Sequence, residues 1–258
     1  MIQEYLYYIA CNKHYSPNTI KRYSVVLHRF AGAMQGKRWS TIAKEDIEQY
    51  ISALGNASSS VANVVSVIRS FFSWLGHHYP LVENPCRFVA SPKIKAIVPH
   101  PVSMQVVGNA VRRCASTSIQ IAIMLMARCG LRVSEVLSLT KEAIVDGKAL
   151  IVGKGRKERY VFIPDYILNR IQSICGGGFI FKNWDDRGFR KAIWLAFRNV
   201  GENVSPHQLR HSFATYCVNR GMPINQIAML MGHDDIRTTQ RYLQSGSEEI
   251  RKSYNNIF

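Results

Sequence analysis

Acidic residues, paired cysteines and long apolar runs are all scarce in this sequence. Asp and Glu number 17 against 33 Lys and Arg, so a partner that carries negative charge is favoured. The six cysteines are scattered and include no close pair of the kind that a zinc site uses. They are therefore predicted to be buried free thiols in a reducing compartment. No apolar run approaches the ~20 residues of a membrane-spanning helix.

Signals for secretion and for bound cofactors are missing as well. The N-terminus has neither a basic start nor a long apolar core, so we expect a cytoplasmic protein without a membrane partner. No glycine loop of the P-loop type leads into a helix. The acidic pairs Asp185–Asp186 and Asp234–Asp235 are placed to start helices rather than to hold Mg²⁺. We accordingly expect no metal and no other cofactor.

The positive charge is present in both parts of the chain. Up to His100 there are 11 basic and 5 acidic residues, and from Pro101 onward there are 22 and 12. Two basic bodies in one chain suggest a clamp on a polyanion. Composition alone does not choose between nucleic acid, heparin-type and ribosomal partners.

The first part of the chain is predicted to be a helical domain over residues 1–90. Apolar residues recur at helical spacing in four segments, and a turn over residues 55–60 separates the third helix from the fourth. Residues 91–101 contain three prolines and two lysines and are predicted to be an interdomain linker. Residues 102–258 are predicted to form a second domain.

The second domain is predicted to be mainly α-helical with a small β-sheet. Residues 121–126 are apolar on every face and indicate a buried helix that ends at Gly130. Residues 149–152 and 160–163 read as a β-hairpin, and residues 179–181 as a short strand. Further helices are predicted over residues 165–174 and 184–199, and from Ser205, Pro223, Asp235 and Ser247.

The helix that starts at Ser205 carries the most distinctive polar pair. Ser205 suits the N-cap, and Pro206 suits the first helical position. His207 and Arg210 are three residues apart, so both lie on one face of the first turn. A proton-transfer group and a cation at the positive end of a helix favour an anion such as phosphate. An ordinary solvated helix face is the alternative.

Two other basic residues stand in unusual surroundings. Arg132 follows the buried helix directly, where a guanidinium needs either a bound anion or an ion pair, for which Glu135 is the candidate. Lys154 lies between two glycines at the hairpin tip, which allows close approach to another backbone. A solvated basic tip would give the same pattern.

Together, the unusual residues supply the groups that metal-free phosphoryl transfer needs. Arginines suit the non-bridging oxygens of a phosphodiester, whose charge grows in the transition state. A lysine can protonate a leaving oxygen, a histidine can accept a proton from a phenol, and a tyrosine can be the covalent nucleophile. The residues concerned are Arg132, Lys154, His207, Arg210, His233 and Tyr242.

Five short blocks in this order resemble the tyrosine recombinase (phage integrase) family, and most closely its Xer-like simple branch. They are Gly130–Glu135, Gly153–Gly155, His207–His211, Gly232–His233 and, nine residues on, Tyr242. The resemblance spans residues 102–258. It implies an N-terminal helical, SAM-like core-binding domain and a mixed α/β catalytic domain, which together form a C-shaped clamp on duplex DNA.

The resemblance also implies a role for each site residue. Tyr242 would attack a phosphate to give a 3′-phosphotyrosyl link, and Lys154 would protonate the leaving 5′ oxygen. His207 would assist proton transfer at the nucleophile. Phosphate oxygens would be held by Arg132, Arg210 and His233, with Glu135 and His211 as supporting residues. Neither ATP nor metal would be required.

The implied assembly is a tetramer on two DNA sites that exchanges strands through a Holliday junction. A terminal helix over residues 247–258 would pack on the next protomer. The absence of an arm-binding domain favours simple inverted-repeat core sites, and a nucleoid location would follow. The sequence leaves open which DNA site is the target and whether an accessory protein is needed. It also leaves open whether the reaction serves integration or excision, inversion or dimer resolution.

Further basic residues are candidates for DNA contact, although a solvated surface explains them equally well. They are Lys21, Arg22, Arg69, Arg156, Lys157, Arg187, Arg190 and Lys191. Three other functions share part of this pattern: a type IB topoisomerase, a non-catalytic DNA-binding regulator and a protelomerase-like resolvase.

Overall fold

The computed structural model describes residues 1–55, 58–80, 83–90, 101–153, 158–174 and 178–232. The chain divides into two units, residues 1–96 and 97–258. The predicted linker lies outside the described residues except for Pro101, and the predicted domain limits stay a prediction.

The described residues of the first unit form four α-helices, as predicted. They are α1 (Ile2–Cys11), α2 (Pro17–Ala33), α3 (Lys44–Ala53) and α4 (Ser58–His78), with 3₁₀ turns at Trp39–Thr41 and Pro85–Phe88. The apolar stripes meet in one core, in which Leu27, Ile68 and Phe72 are fully buried. The predicted turn over residues 55–60 was too long, because α4 already begins at Ser58. Serine suits a helix start as well as a turn.

The second unit is built around one buried helix. Its described helices are α5 (Met104–Arg113), α6 (Thr117–Cys129), α7 (Val133–Leu137), α8 (Asp165–Ile174), α9 (Asp186–Arg198), α10 (Pro206–Asn219) and α11 (Ile224–Met231). The middle of α6 is buried on every side, as predicted. Gly130 ends α6 with φ +69°, and a Cβ there would lie 2.5 Å from Phe213 Cδ1. Glycine therefore allows both the left-handed turn and the close approach of α10.

A three-stranded antiparallel sheet follows α7. Its order is β1 (Ile144–Val145), β2 (Lys148–Val152) and β3 (Glu158–Phe162). Strands β2 and β3 form the predicted hairpin, in which Leu150 pairs with Tyr160, whereas β1 was not predicted. The predicted strand over residues 179–181 was wrong: Phe179 forms only an isolated bridge with Thr140. Ile180 and Phe181 are buried, and a short apolar segment with buried residues has the same sequence pattern whether or not it forms a strand.

Helix boundaries near the site follow the predicted capping signals. Asp185 caps α9, where its carboxylate accepts a hydrogen bond from the Gly188 N–H at 3.2 Å. Helix α11 ends at Gly232, which adopts φ +59°. The two helices predicted beyond this point, from Asp235 and Ser247, lie outside the described residues.

The cysteines of the described residues include no disulfide. Cys86, Cys129 and Cys217 are buried and Cys114 is half-buried, but Cys11 is exposed, so the prediction of buried thiols was wrong for Cys11. Burial raises the pKa of the Cys86 thiol to about 11. Among the helices that the structure describes, none combines the length and the apolar character that crossing a bilayer requires.

Candidate active site

The N-terminus of α10 is built as the sequence predicts. The Ser205 hydroxyl accepts a hydrogen bond from the Gln208 N–H at 3.4 Å, and the Gln208 side chain accepts one from the Ser205 N–H at 2.8 Å. Pro206 occupies the first turn. This reciprocal cap fixes the start of the helix and so the direction in which His207 and Arg210 project.

These two residues lie on one turn but at different depths. His207 is exposed, whereas the Arg210 side chain is 3% exposed. The guanidinium of Arg210 donates hydrogen bonds to the carbonyls of Gly130 and Met231. Arg210 therefore joins the C-terminal ends of α6 and α11 to α10. Sequence reasoning assigned it to phosphate binding alone and missed this structural role.

Arg132 is the N-cap residue of α7 and is paired with Glu135. The Glu135 carboxylate accepts hydrogen bonds from the Arg132 backbone N–H and from its Nη1, each at 2.7 Å. The ion pair that sequence analysis offered as an alternative to anion binding is therefore present. The Arg132 side chain is still 37% exposed, so part of its guanidinium stays available to a ligand.

Glu135 is the centre of a buried cluster of arginines. Arg159 on β3 donates to both of its oxygens, Nη1 to Oε1 at 2.9 Å and Nη2 to Oε2 at 2.7 Å. Arg210 Nη1 lies 3.7 Å from Oε2. Burial would raise the pKa of Glu135, but the bonds from Arg159 and Arg132 outweigh it and lower the pKa to about 2. Glu135 is therefore ionised at every physiological pH.

Arg159 is the site residue that sequence reasoning missed. Its side chain is only 9% exposed, and its Nε donates to the Leu230 carbonyl at 2.8 Å. A Cβ at Gly232 would lie 3.0 Å from Arg159 Cδ, so a glycine at the end of α11 leaves room for this arginine. The alternation of side chains along a strand could have identified Arg159. It lies two residues before the buried Val161 and therefore on the same, inner face of β3.

A small pocket lies beside this cluster. It has a volume of about 170 Å³ and is lined by Arg132, Val133, Ser134, Arg190, Pro206, His207 and Arg210. Three arginines, a histidine and the positive end of α10 meet there. Among the residues that the structure describes, no acidic side chain lines the pocket. The arrangement fits a small anion of the size and charge of a phosphate group.

The surroundings of His207 in this pocket favour its neutral form. Desolvation by surrounding protein atoms, and then the charges of Arg210, Arg132 and Arg190, lower the pKa of His207 below its ordinary value. The imidazole is therefore neutral near pH 7 and able to accept a proton. His211, predicted as a supporting residue, packs edge-on against it with ring centroids 4.5 Å apart.

Several predicted site residues lie outside the described residues. They are Lys154, Arg156, Lys157, His233 and Tyr242. The two strands that flank Lys154 are described and pair as predicted. Within the part of the chain that the structure describes, no group of three or more His, Cys, Asp or Glu side chains could hold a metal ion.

The remaining DNA-contact candidates differ in their surroundings. Lys21 and Arg22 are exposed on α2, and Arg187, Arg190 and Lys191 are exposed on α9. Arg69 is half-buried and donates hydrogen bonds to the carbonyls of Cys86, at 3.3 Å, and Val89, at 2.8 Å. Arg69 therefore holds the segment after α4 in place, which is a structural explanation for its charge.

Comparison with known proteins gives matches over nearly the whole chain. The family profile described as "Phage integrase family" matches residues 101–249, and "Phage integrase, N-terminal SAM-like domain" matches residues 2–78. Similar relatives include a tyrosine recombinase of Thermosipho africanus (26% identical, 96% of each chain). The tyrosine recombinase XerC of Halalkalibacterium halodurans is 28% identical, over 98% of this chain and 95% of that one. The tyrosine recombinase XerD of Staphylococcus aureus is 29% identical, over 100% of this chain and 98% of that one.

Solved structures share the fold at lower identity. A lambda integrase(75–356) dimer bound to a COC′ core site superposes with a TM-score of 0.81 at 14% identity, covering 93% of each chain. XerH bound to palindromic difH substrate gives 0.75 at 16% identity, covering 92% of this chain and 79% of that one. XerA recombinase superposes with a TM-score of 0.55 at 21% identity, covering 100% of this chain and 99% of that one.

Proposed function

This chain belongs to the phage integrase family, and we propose that it is a site-specific recombinase that cuts and rejoins duplex DNA through a 3′-phosphotyrosyl intermediate. One observation carries the proposal. The pocket that Arg132, His207 and Arg210 line at the start of α10 has the charge and the size that a phosphate group would need, and its residues lie within the segment that the family profile matches.

The chemistry exchanges one phosphate ester for another. The phenolic oxygen of Tyr242 forms a bond to phosphorus, and the bond from phosphorus to the 5′ oxygen breaks. His207 accepts the phenolic proton, and Lys154 gives a proton to the departing 5′ oxygen. Attack by a 5′ hydroxyl of the partner strand reverses these steps and releases Tyr242. The ester bond is conserved, so the sequence of steps needs no ATP.

The charge of the inner cluster suits the transition state of this reaction. The guanidiniums of Arg132, Arg159 and Arg210 surround the single carboxylate of Glu135, which leaves a net charge of +2. A pentacoordinate phosphorus carries about two negative charges on its non-bridging oxygens, and preorganised cations lower the energy of that state most. His233 would complete this set.

Covalent trapping tests the proposal. The full chain is incubated without metal with nicked duplexes that carry inverted repeats from its own genetic neighbourhood, and SDS-resistant adducts are measured. We expect an adduct with the wild-type chain and none with Tyr242→Phe, because phenylalanine lacks the attacking oxygen. Recombinant products from paired sites would separate a recombinase from a topoisomerase. Tight binding to cognate sites without an adduct would contradict catalysis and favour a regulator.

We further propose duplex DNA with inverted-repeat core sites as substrate, and a tetramer on two sites as the active assembly. An apolar cavity of about 510 Å³ on the second unit supports the contact between protomers. Its lining includes Phe162, Phe213, Met222 and Leu230. Residues 247–258 of a neighbouring copy, in which Ile250, Tyr254 and Ile257 recur at helical spacing, have the apolar character that this cavity would accept.

Blocking the cavity is expected to separate cleavage from recombination. Met222→Arg places a charge at the half-buried edge of the cavity, which opposes docking of an apolar helix. We expect adduct formation on a single nicked site to stay within about threefold of wild type, and products from paired sites to fall about tenfold or more. Met229→Arg is the matched control, since Met229 is 73% exposed on the same helical hairpin and does not line the cavity. Equal recombination by both variants would contradict the proposed contact.

A further inference from the structure

The small pocket at the start of α10 is lined by one arginine to which the family resemblance assigns no role in phosphate binding. Arg190 projects from α9 and lines the pocket together with Arg132, His207 and Arg210. Its side chain is 49% exposed. It was predicted only as one of several basic residues on an outward helix face.

The other basic residues of α9 differ from Arg190 in this respect. Arg187 and Lys191 are exposed on the same helix and do not line the pocket. Arg190 Nε donates to Asp186 Oδ2 at 2.8 Å, four residues earlier on the helix. An ion pair this exposed contributes little to stability. It does restrict the side chain, and it uses only one of the five N–H donors of the guanidinium.

We propose that Arg190 is an additional arginine of the active site, which donates to a non-bridging oxygen of the scissile phosphate, and that Asp186 positions it. The inference rests on the proposed function, because it assigns a contact within the same phosphate pocket. It gives Arg190 a part in transition-state stabilisation and leaves Arg187 and Lys191 as DNA-backbone or groove contacts.

The surroundings of His207 support this placement. Arg190 is one of three arginines whose charge lowers the pKa of His207, which agrees with their shared position around one small pocket. Arg210 is buried and donates to two carbonyls, so the more exposed guanidiniums at the pocket are those of Arg132 and Arg190. Two exposed guanidiniums on different elements can contact an anion from two sides.

Methylphosphonate substrates test the contact. They replace one charged non-bridging oxygen of the scissile phosphate by a neutral methyl group, so a residue that neutralises that oxygen loses its importance. We expect Arg190→Ala to form adduct about 10- to 100-fold more slowly than wild type on the ordinary nicked duplex at saturating protein. On the methylphosphonate duplex the deficit is expected to narrow to within about threefold. Alanine is a good helix former at this exposed position, so folding should persist.

Arg187→Ala is the matched control, one turn earlier on the same helix. If this variant binds DNA more weakly, its rate of adduct formation is expected to fall by the same factor on both substrates, because Arg187 does not line the pocket. Asp186→Asn tests whether Asp186 orients the Arg190 guanidinium. The substitution removes a negative charge near the pocket, which by itself would favour phosphate binding and faster cleavage. Slower cleavage by this variant therefore supports the positioning role of Asp186, and faster cleavage would overturn it. An equal deficit of Arg190→Ala on both substrates would overturn the contact itself.

An NMR titration of His207 in the absence of DNA distinguishes failure of this inference from failure of the proposed function. Loss of the Arg190 charge is expected to raise the pKa of His207, whereas Arg187→Ala should have a smaller effect. If the wild-type chain forms no adduct on any duplex, the proposed function fails, and the titration still reports whether Arg190 lies at the pocket. An unchanged His207 pKa in Arg190→Ala would overturn the inference.

Discussion

Replacing Glu135 by glutamine is expected to lower the free energy of unfolding by about 3 kcal/mol at pH 7 and to abolish adduct formation. The carboxylate accepts hydrogen bonds from Arg132 and Arg159, and Arg210 lies close by. A glutamine of the same shape turns an NH₂ group toward at least one guanidinium and leaves the cluster without its negative charge. Breaking a buried ion pair by removing one partner is strongly destabilising.

The pH dependence of this effect has a defined sign. The pKa of Glu135 is lowered from 4.5 to about 2 in the folded chain. Its stabilisation is therefore fully present above pH 4.5 and is lost as pH falls toward 2. Urea unfolding at a series of pH values should show that the gap between wild type and Glu135→Gln is constant near neutrality and narrows below pH 4.5.

Glu142→Gln is the matched control for this series. Glu142 is an exposed carboxylate that accepts hydrogen bonds from the Gly178 N–H, at 2.8 Å, from its own N–H and from the Thr140 side chain. Its replacement is expected to change stability little at any pH. If Glu135→Gln lowers the free energy of unfolding no more than Glu142→Gln does, the claim that Glu135 and its arginines stabilise the fold is contradicted.

Arg210→Lys is expected to impair both stability and cleavage, whereas Arg132→Lys should impair cleavage alone. A lysine at position 210 keeps the charge but cannot donate to the Gly130 and Met231 carbonyls at once. Leaving one buried carbonyl unpaired lowers the free energy of unfolding by roughly 2 kcal/mol. Arg132 is 37% exposed, and its backbone cap to Glu135 survives substitution.

Parallel measurements on the two variants separate these roles. Adduct formation is expected to fall about 100-fold or more in each, because a lysine does not reproduce the planar set of N–H donors that each arginine brings to the proposed phosphate pocket. Urea unfolding should move to lower denaturant for Arg210→Lys and stay within about 1 kcal/mol of wild type for Arg132→Lys. Equal stability of the two variants would show that the contacts of Arg210 with the helix ends do not hold the site together.

Local signals in the sequence predicted most of the scaffold. The cap at Ser205, the glycines that end α6 and α11 and the buried face of α6 all depend on nearby residues, and the structure has each of them. Boundaries that depend on tertiary packing were less well predicted. Helix α4 starts inside the predicted turn, and Ile180 and Phe181 pack in the core without forming a strand.

The site itself was predicted only in part, because its partners are distant in sequence. The pairing of Arg132 with Glu135 spans three residues and was foreseen as an alternative. Arg159 reaches Glu135 across 24 residues, and Arg210 reaches Gly130 across 80. Periodicity does not show which strand residue meets which helix end. Arg190 looked like its neighbours on α9 for the same reason, until the fold placed it at the pocket.

Mapping the covalent adduct to one residue tests the central claim most directly. The wild-type adduct on a nicked duplex is digested with nuclease and protease, and the peptide that carries the residual nucleotide is sequenced by mass spectrometry. We predict a phosphotyrosyl link at Tyr242, joined to the 3′ side of the cleaved strand and formed at a rate that depends on Arg132, His207 and Arg210. A nucleotide attached to any other residue, or a link through a 5′ phosphate, would contradict the account.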